Sequence, residues 1–92
     1  VAVVYAQHAL SLSAQALSAI AGTAPVVLPL YSPRSARLVG EQVGVPGPKV
    51  HAIAMSAAVE EAWRTATGAT AQVVPEPTGE KMLEGILSAV IQ

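Results

Sequence analysis

The sequence predicts an α/β fold in which a parallel sheet is flanked by helices, and two observations carry that prediction. Four apolar runs, at 1–5, 25–31, 50–55 and 70–74, recur along the 92 residues. Each run is followed by a segment whose apolar residues return every three or four positions, the helical spacing. Four strand-then-helix units in succession require parallel strands joined by right-handed crossovers. The residues 1–92 read as a single α/β domain, and a partial one. The composition is 52% hydrophobic and only 12% charged, with a mean hydropathy of +0.50. That is the profile of strands buried on both faces, or of a surface meant to be covered.

The first run, VAVVY, is β-branched without alternation, as in a strand sandwiched on both faces. Ser11 and Ser13 can cap a helix from about Ala14 to Ala21, with Leu17 and Ile20 on one side and Gly22 as its stop. PVVLPLY, at 25–31, is the second strand; Pro29 lacks a donor, which predicts an edge position or a bulge. Ser32 then caps a helix that takes Pro33 at its first position, buries Ala36, Val39 and Val43, and ends at Gly44.

VPGPK, at 45–49, is a turn cluster. VHAIAM makes the third strand, and Ser56 caps a helix with Val59, Trp63 and Ala66 on its buried side and Gly68 at its end. TAQVV is the fourth strand. Thr78 opens the last helix, whose Met82, Leu83, Ile86, Leu87 and Val90 are predicted to share one buried face.

Several function classes fall away. The net charge is -1, so no basic field is available for nucleic acid or an anionic membrane, and no apolar stretch approaches the roughly 20 residues of a membrane span. The chain contains no Asp and no Cys. A receiver domain with a phosphoaccepting aspartate, a phosphocysteine transfer domain, disulfides and thiolate metal sites are thereby excluded, and a reducing cytoplasm fits. Neither a dinucleotide fingerprint nor a phosphate-binding Walker loop occurs, so no cofactor is expected. His8 and His51 have no carboxylates at metal spacing, and no metal site is expected; His51 reads as a packed or hydrogen-bonded structural residue. Glu60 and Glu61 read as a solvated helix face. The chain opens on Val1 without a charged-then-apolar leader, and further residues are expected upstream.

What remains is positional. Three strands end in a hydroxyl residue that also begins a helix: Ser32 in YSPRSA, Ser56 in AMSAAV and Thr78 in EPTGEK. Each such start presents free N–H groups and the positive end of a helix dipole, which together favour an anion. Taken singly, each is also simply a good N-cap, worth about 1 kcal/mol. Arg34, followed by Ser35, sits where a cation is disfavoured by roughly 0.3–1 kcal/mol. A bound carboxylate reverses that penalty; the alternative is an arginine reaching solvent or a glutamate. Arg37 reads as a plain surface residue.

These motifs, VAVVY at 1–5, YSPRSA at 31–36, AMSAAV at 54–59 and PEPTGEKML at 75–83, resemble in order and spacing the C-terminal half of the uroporphyrinogen-III synthase family. The resemblance implies the flavodoxin-like half of a two-domain synthase, with 1–5 as the strand returning from the other domain. It also implies a lyase that closes linear hydroxymethylbilane to uroporphyrinogen III in tetrapyrrole and heme biosynthesis. Water is lost and the last ring inverted, without a cofactor. Tyr5 matches the family's strand-end tyrosine and would donate to the departing hydroxyl, or else is only an amphipathic rim residue. The substrate's carboxylates would lie against Ser32, Pro33, Arg34 and Ser35, against Ser56 and Ala57, and against Thr78 and Gly79. The segment alone is expected to be inactive and to dimerise through an exposed sheet edge. The competing expectation is a non-catalytic anion-binding module that senses a phosphosugar or nucleotide; a third is a structural half-domain that completes a partner.

Overall fold

In the computed structural model, which describes residues 2–4, 14–22, 24–47 and 49–91, strand and helix alternate. The elements are β1 (Ala2–Val3), α1 (Ala14–Ala21), β2 (Val26–Leu30), α2 (Pro33–Val43), β3 (Val50–Ala54), α3 (Ala57–Thr67), β4 (Gln72–Val73) and α4 (Gly79–Val90). The strands stand in the order β1-β2-β3-β4 and all pair in parallel. The centre of the sheet is the five-residue pairing of β2 with β3, from Val26 opposite Val50 to Leu30 opposite Ala54. The outer strands are two residues each. Each gains one further bond, from Val4 N–H to the Val27 carbonyl at 2.9 Å and from Val74 N–H to the Ala54 carbonyl at 3.1 Å.

Every residue of β2 is buried, which accounts for its unbroken apolar run. Val26, Leu28 and Leu30 join Ala52 and Ala54 against Ile20 of α1, Ala36 and Val39 of α2, and Val59 and Trp63 of α3. Val27 and Ile53 face the other way and pack with Val74, Met82 and Ile86. Three helices thus cover one face of the sheet while α4 crosses the other.

Pro29 does not lie at an edge. It is fully buried in β2, opposite Ile53. In a parallel strand alternate residues address alternate neighbours. The Val27 carbonyl accepts from Val4 on the β1 side, whereas Val26 N–H and the Leu30 carbonyl bond toward β3. Pro29, two residues beyond Val27, therefore turns its nitrogen to the β1 side just past the last β1–β2 pair. The missing donor interrupts no bond to β3.

The helix boundaries follow local chemistry. Gly44 and Gly68 end α2 and α3 with φ of 72° and 76°, which a residue without a Cβ adopts freely. Beside the second, Thr67 is buried yet satisfied: its hydroxyl donates to the Trp63 carbonyl at 2.8 Å and accepts from Ala69 N–H at 3.1 Å. The indole Nε1 of Trp63 is buried without an acceptor among the described residues. The proposed caps Ser11 and Ser13 lie outside the described residues.

Two sequence expectations are corrected by packing. In α4 only Met82, Gly85 and Ile86 are fully buried, while Leu83 and Leu87 are about half exposed. A single helix crossing a sheet face buries a narrower stripe than the sequence implied, because no other helix among the described residues covers its flank. Glu60 is not on a solvated face either. Its side chain is only 13% exposed, and it accepts from Ala71 N–H at 3.4 Å while pairing with Arg64 at 3.8 Å. Glu61 beside it is exposed, as expected.

Candidate functional site

β2, β3 and β4 are parallel neighbours, so the residues that follow them lie along one rim of the sheet. That rim carries Ser32, Ser56 and Thr78. The starts of α2 and α3 lie on one face of the sheet and that of α4 on the other. Parallel α/β sheets bind ligands beyond this end, at the point where the strand order reverses; the described order β1-β2-β3-β4 contains no reversal.

Each hydroxyl residue has extended backbone and caps its own helix. Ser32 Oγ accepts from Ser35 N–H at 3.1 Å, Ser56 Oγ from Val59 N–H at 3.4 Å, and Thr78 Oγ1 from Lys81 N–H at 3.1 Å. The carbonyls of the same three residues accept from Ala36, Glu60 and Met82. The hydroxyl oxygens are therefore occupied as acceptors, and what is left for a ligand is their O–H and the first N–H groups of each helix. In α2 those reduce to Arg34 N–H, since Pro33 has none. In α3 they are Ala57 and Ala58 N–H, and in α4 Gly79 and Glu80 N–H.

The three starts differ in charge. Glu60 in the first turn of α3 and Glu80 in that of α4 already complement their helix dipoles. The first turn of α2 holds no acid and carries Arg34 instead. Among the described residues Arg34 forms no ion pair, and it is exposed. Of these three starts, that of α2 is the one where positive charge is left uncompensated among the described residues.

A shallow groove of about 320 Å³ brings Pro33 and Arg34 together with Arg37 and with Ala62 of α3. Arg37 is exposed, as expected of a surface residue, and forms one wall of the groove. Its presence was legible only as the i+3 spacing from Arg34; Ala62, on another helix, gave no signal. Ser35 and Ser32 are half-buried beside this groove, Ser56 is half-buried, and Ala57, Thr78 and Gly79 are exposed farther along the rim. Tyr31, which ends the second apolar run, lies just past β2 and is half exposed.

Tyr5, the proposed proton donor, and His8 lie outside the described residues. His51 is tied by its Nε2 to Gln72 Oε1 at 2.8 Å, bridging β3 and β4. Among the described residues no three of His, Cys, Asp or Glu converge as they would around a metal ion, and no helix is long and apolar enough to cross a membrane. Compared with protein-family models, with curated proteins and with solved structures, the chain matches none of them.

Proposed function

We propose that this chain is the C-terminal part of a cytoplasmic uroporphyrinogen-III synthase, and that its rim of helix starts holds carboxylates of hydroxymethylbilane. The observation that carries the reading is the start of α2, where Arg34 occupies the first turn of a helix with no acid there and has no ion-pair partner among the described residues. A carboxylate lying between the Arg34 guanidinium and the helix N-terminus turns a mutual repulsion into two attractions. The substrate is a flexible chain carrying eight carboxylates. Others of them can engage the N–H groups of Ala57 and Ala58, at the neighbouring start of α3, and of Gly79 and Glu80, at the start of α4 on the other face of the sheet.

In this reading the four βα units are the flavodoxin-like half of a two-domain enzyme. The placement of α4 on the sheet face opposite α1, α2 and α3 supports it, because a doubly wound sheet carries helices on both faces. The reaction expels the terminal hydroxyl as water and rejoins the inverted last ring to close the macrocycle. It demands orientation and help for the departing oxygen rather than redox chemistry. Tyr5 is the proposed donor to that oxygen. The other wall of the cleft would come from the second domain, so these residues alone bind without turning over.

Titration of the chain with uroporphyrin, followed by porphyrin absorbance, tests the reading against an anion-sensing module. Saturable binding that weakens several-fold in Arg34→Ala, with no conversion of hydroxymethylbilane, is the expected result. Binding of a sugar phosphate but not of uroporphyrin would favour the sensing module instead. Uroporphyrin binding that ignores Arg34 removes the site, and turnover by the isolated residues removes the two-domain cleft.

A further inference from the structure

Two exposed surfaces on opposite sides of the molecule complement one another. On α4 and its C-cap, Leu83, Leu87 and Ile91 are 54%, 53% and 83% exposed. Four apart, they form one stripe about 12 Å long. Glu80 and Glu84 run beside it at the same spacing. Glu84 is paired with Lys81 at 3.3 Å, and Glu80 has no cation partner among the described residues. Across the sheet, the outer sides of α2 and α3 form a shallow groove of about 250 Å³ between Arg37 on one wall and Ala58, Glu61, Ala62 and Thr65 on the other. Past Arg37 and Ala62 it runs on to Pro33 and Arg34. Arg34 and Arg37 form no ion pair among the described residues.

We propose that these surfaces bind each other between copies of this chain, α4 of one copy lying in the α2–α3 groove of the next. Leu83 and Leu87 would rest over Ala58 and Ala62, whose small side chains let a helix approach closely. Glu80 and Glu84 would face Arg34 and Arg37, which stand on the α2 wall; the groove's one acid, Glu61, is on the α3 wall. A stripe of three large apolar side chains is unfavourable in water, and its acidic flank selects a basic groove over a second stripe of its own kind. A two-fold pairing of α4 with α4 would set the acidic flanks of both copies against each other. The β4 edge is a poorer surface, since it offers only two ladder residues.

The stripe and the groove face away from each other across the sheet, so one contact leaves a stripe and a groove free at the two ends of the pair. Association of this kind is heterologous and continues by addition of copies. A contact built on three apolar side chains and a shallow groove is small beside the roughly 1,200 Å² of a stable interface, so assembly is expected to be weak and to appear at high concentration. It uses Arg34 and the groove beside it, as the proposed carboxylate site does, so the two occupants exclude each other there; mass reports the one and porphyrin absorbance the other.

Sedimentation velocity from micromolar to millimolar protein tests this. The average mass is expected to rise past two copies with concentration and to fall as salt is raised. Leu87→Lys and Arg37→Glu, both exposed positions, should each give monomers with unchanged circular dichroism. Mixed in equal amounts, they should form a pair that grows no further, because one variant keeps the groove and the other keeps the stripe. Wild-type protein that stays monomeric at millimolar concentration overturns the proposal. So does association that survives Arg37→Glu or Leu87→Lys, which would mark an α4 pair or a sheet-edge pair, and so does a mixture that remains monomeric.

Discussion

Gly40 of α2 stands so close to Ala66 of α3 that a Cβ added at position 40 would lie 2.7 Å from the Ala66 Cβ and 3.0 Å from Thr67 Cγ2. Neither neighbour can swing aside: an alanine methyl has no rotamer, and the Thr67 side chain is held by its two hydrogen bonds. Gly40→Ala must therefore push the helices apart. Overpacking of this kind costs about 1–3 kcal/mol, which exceeds the roughly 1 kcal/mol that alanine gains over glycine inside a helix. The expected result is a net loss of about 1 kcal/mol and a thermal midpoint lowered by about 4–8 °C, read by circular dichroism or from the emission of the buried Trp63. An unchanged or raised midpoint would mean that α2 and α3 are not in this contact.

The same substitution in α4 should act in the opposite direction. A Cβ at Gly85 would meet Ile53 Cγ2 at 3.5 Å and Val74 Cγ1 at 3.6 Å, ordinary van der Waals distances. Gly85→Ala then fills space against the sheet and relieves the helix of its glycine, a gain of about 0.5–1 kcal/mol. A rise of a few degrees in the melting midpoint is expected, and a fall would place α4 closer to β3 than described.

The contrast between these two glycines shows where sequence reading stops. Both sit at helical positions on apolar faces, and only the separation of the packed elements distinguishes them. The caps at Ser32, Ser56 and Thr78 were legible because each is a bond spanning three residues, and the stops at Gly44 and Gly68 because each is a local backbone conformation. Pro29 was misplaced because its tolerance depends on which neighbour its nitrogen addresses and where the β1 ladder ends. The width of α4's buried face depends on what lies beside it, which its own periodicity does not contain. For the candidate site, the order of helix starts along one rim was legible from the strand-then-hydroxyl pattern. The groove joining Arg34 and Arg37 to Ala62 needed the docking of α2 on α3.

Glu60 ties α3 to the loop before β4 through the N–H of Ala71, eleven residues away. Removing its carboxylate leaves that N–H without its acceptor, whereas removing only its charge leaves an amide oxygen in place. Arg64 is more than half exposed, so its ion pair with Glu60 contributes only a few tenths of a kcal/mol. Glu60→Ala should therefore lose about 1 kcal/mol in urea unfolding, and Glu60→Gln and Arg64→Ala much less. Equal losses in all three would make the ion pair, rather than the bond to Ala71, the dominant interaction.

Ser32 offers the means to separate stability from ligand binding at the α2 start. Its Oγ caps Ser35 N–H, so Ser32→Ala should cost about 1 kcal/mol. Ser32→Asp retains a side-chain oxygen for that N–H and supplies the negative charge that the first turn of α2 lacks. It should match or exceed the wild-type midpoint by a few tenths of a kcal/mol. The added carboxylate, however, occupies the field that an external anion would use and offers Arg34 an internal partner. Uroporphyrin binding should accordingly weaken several-fold in Ser32→Asp while the protein becomes no less stable, and raised salt should narrow the difference. A variant that is both stable and undiminished in binding would show that carboxylates do not approach through the start of α2.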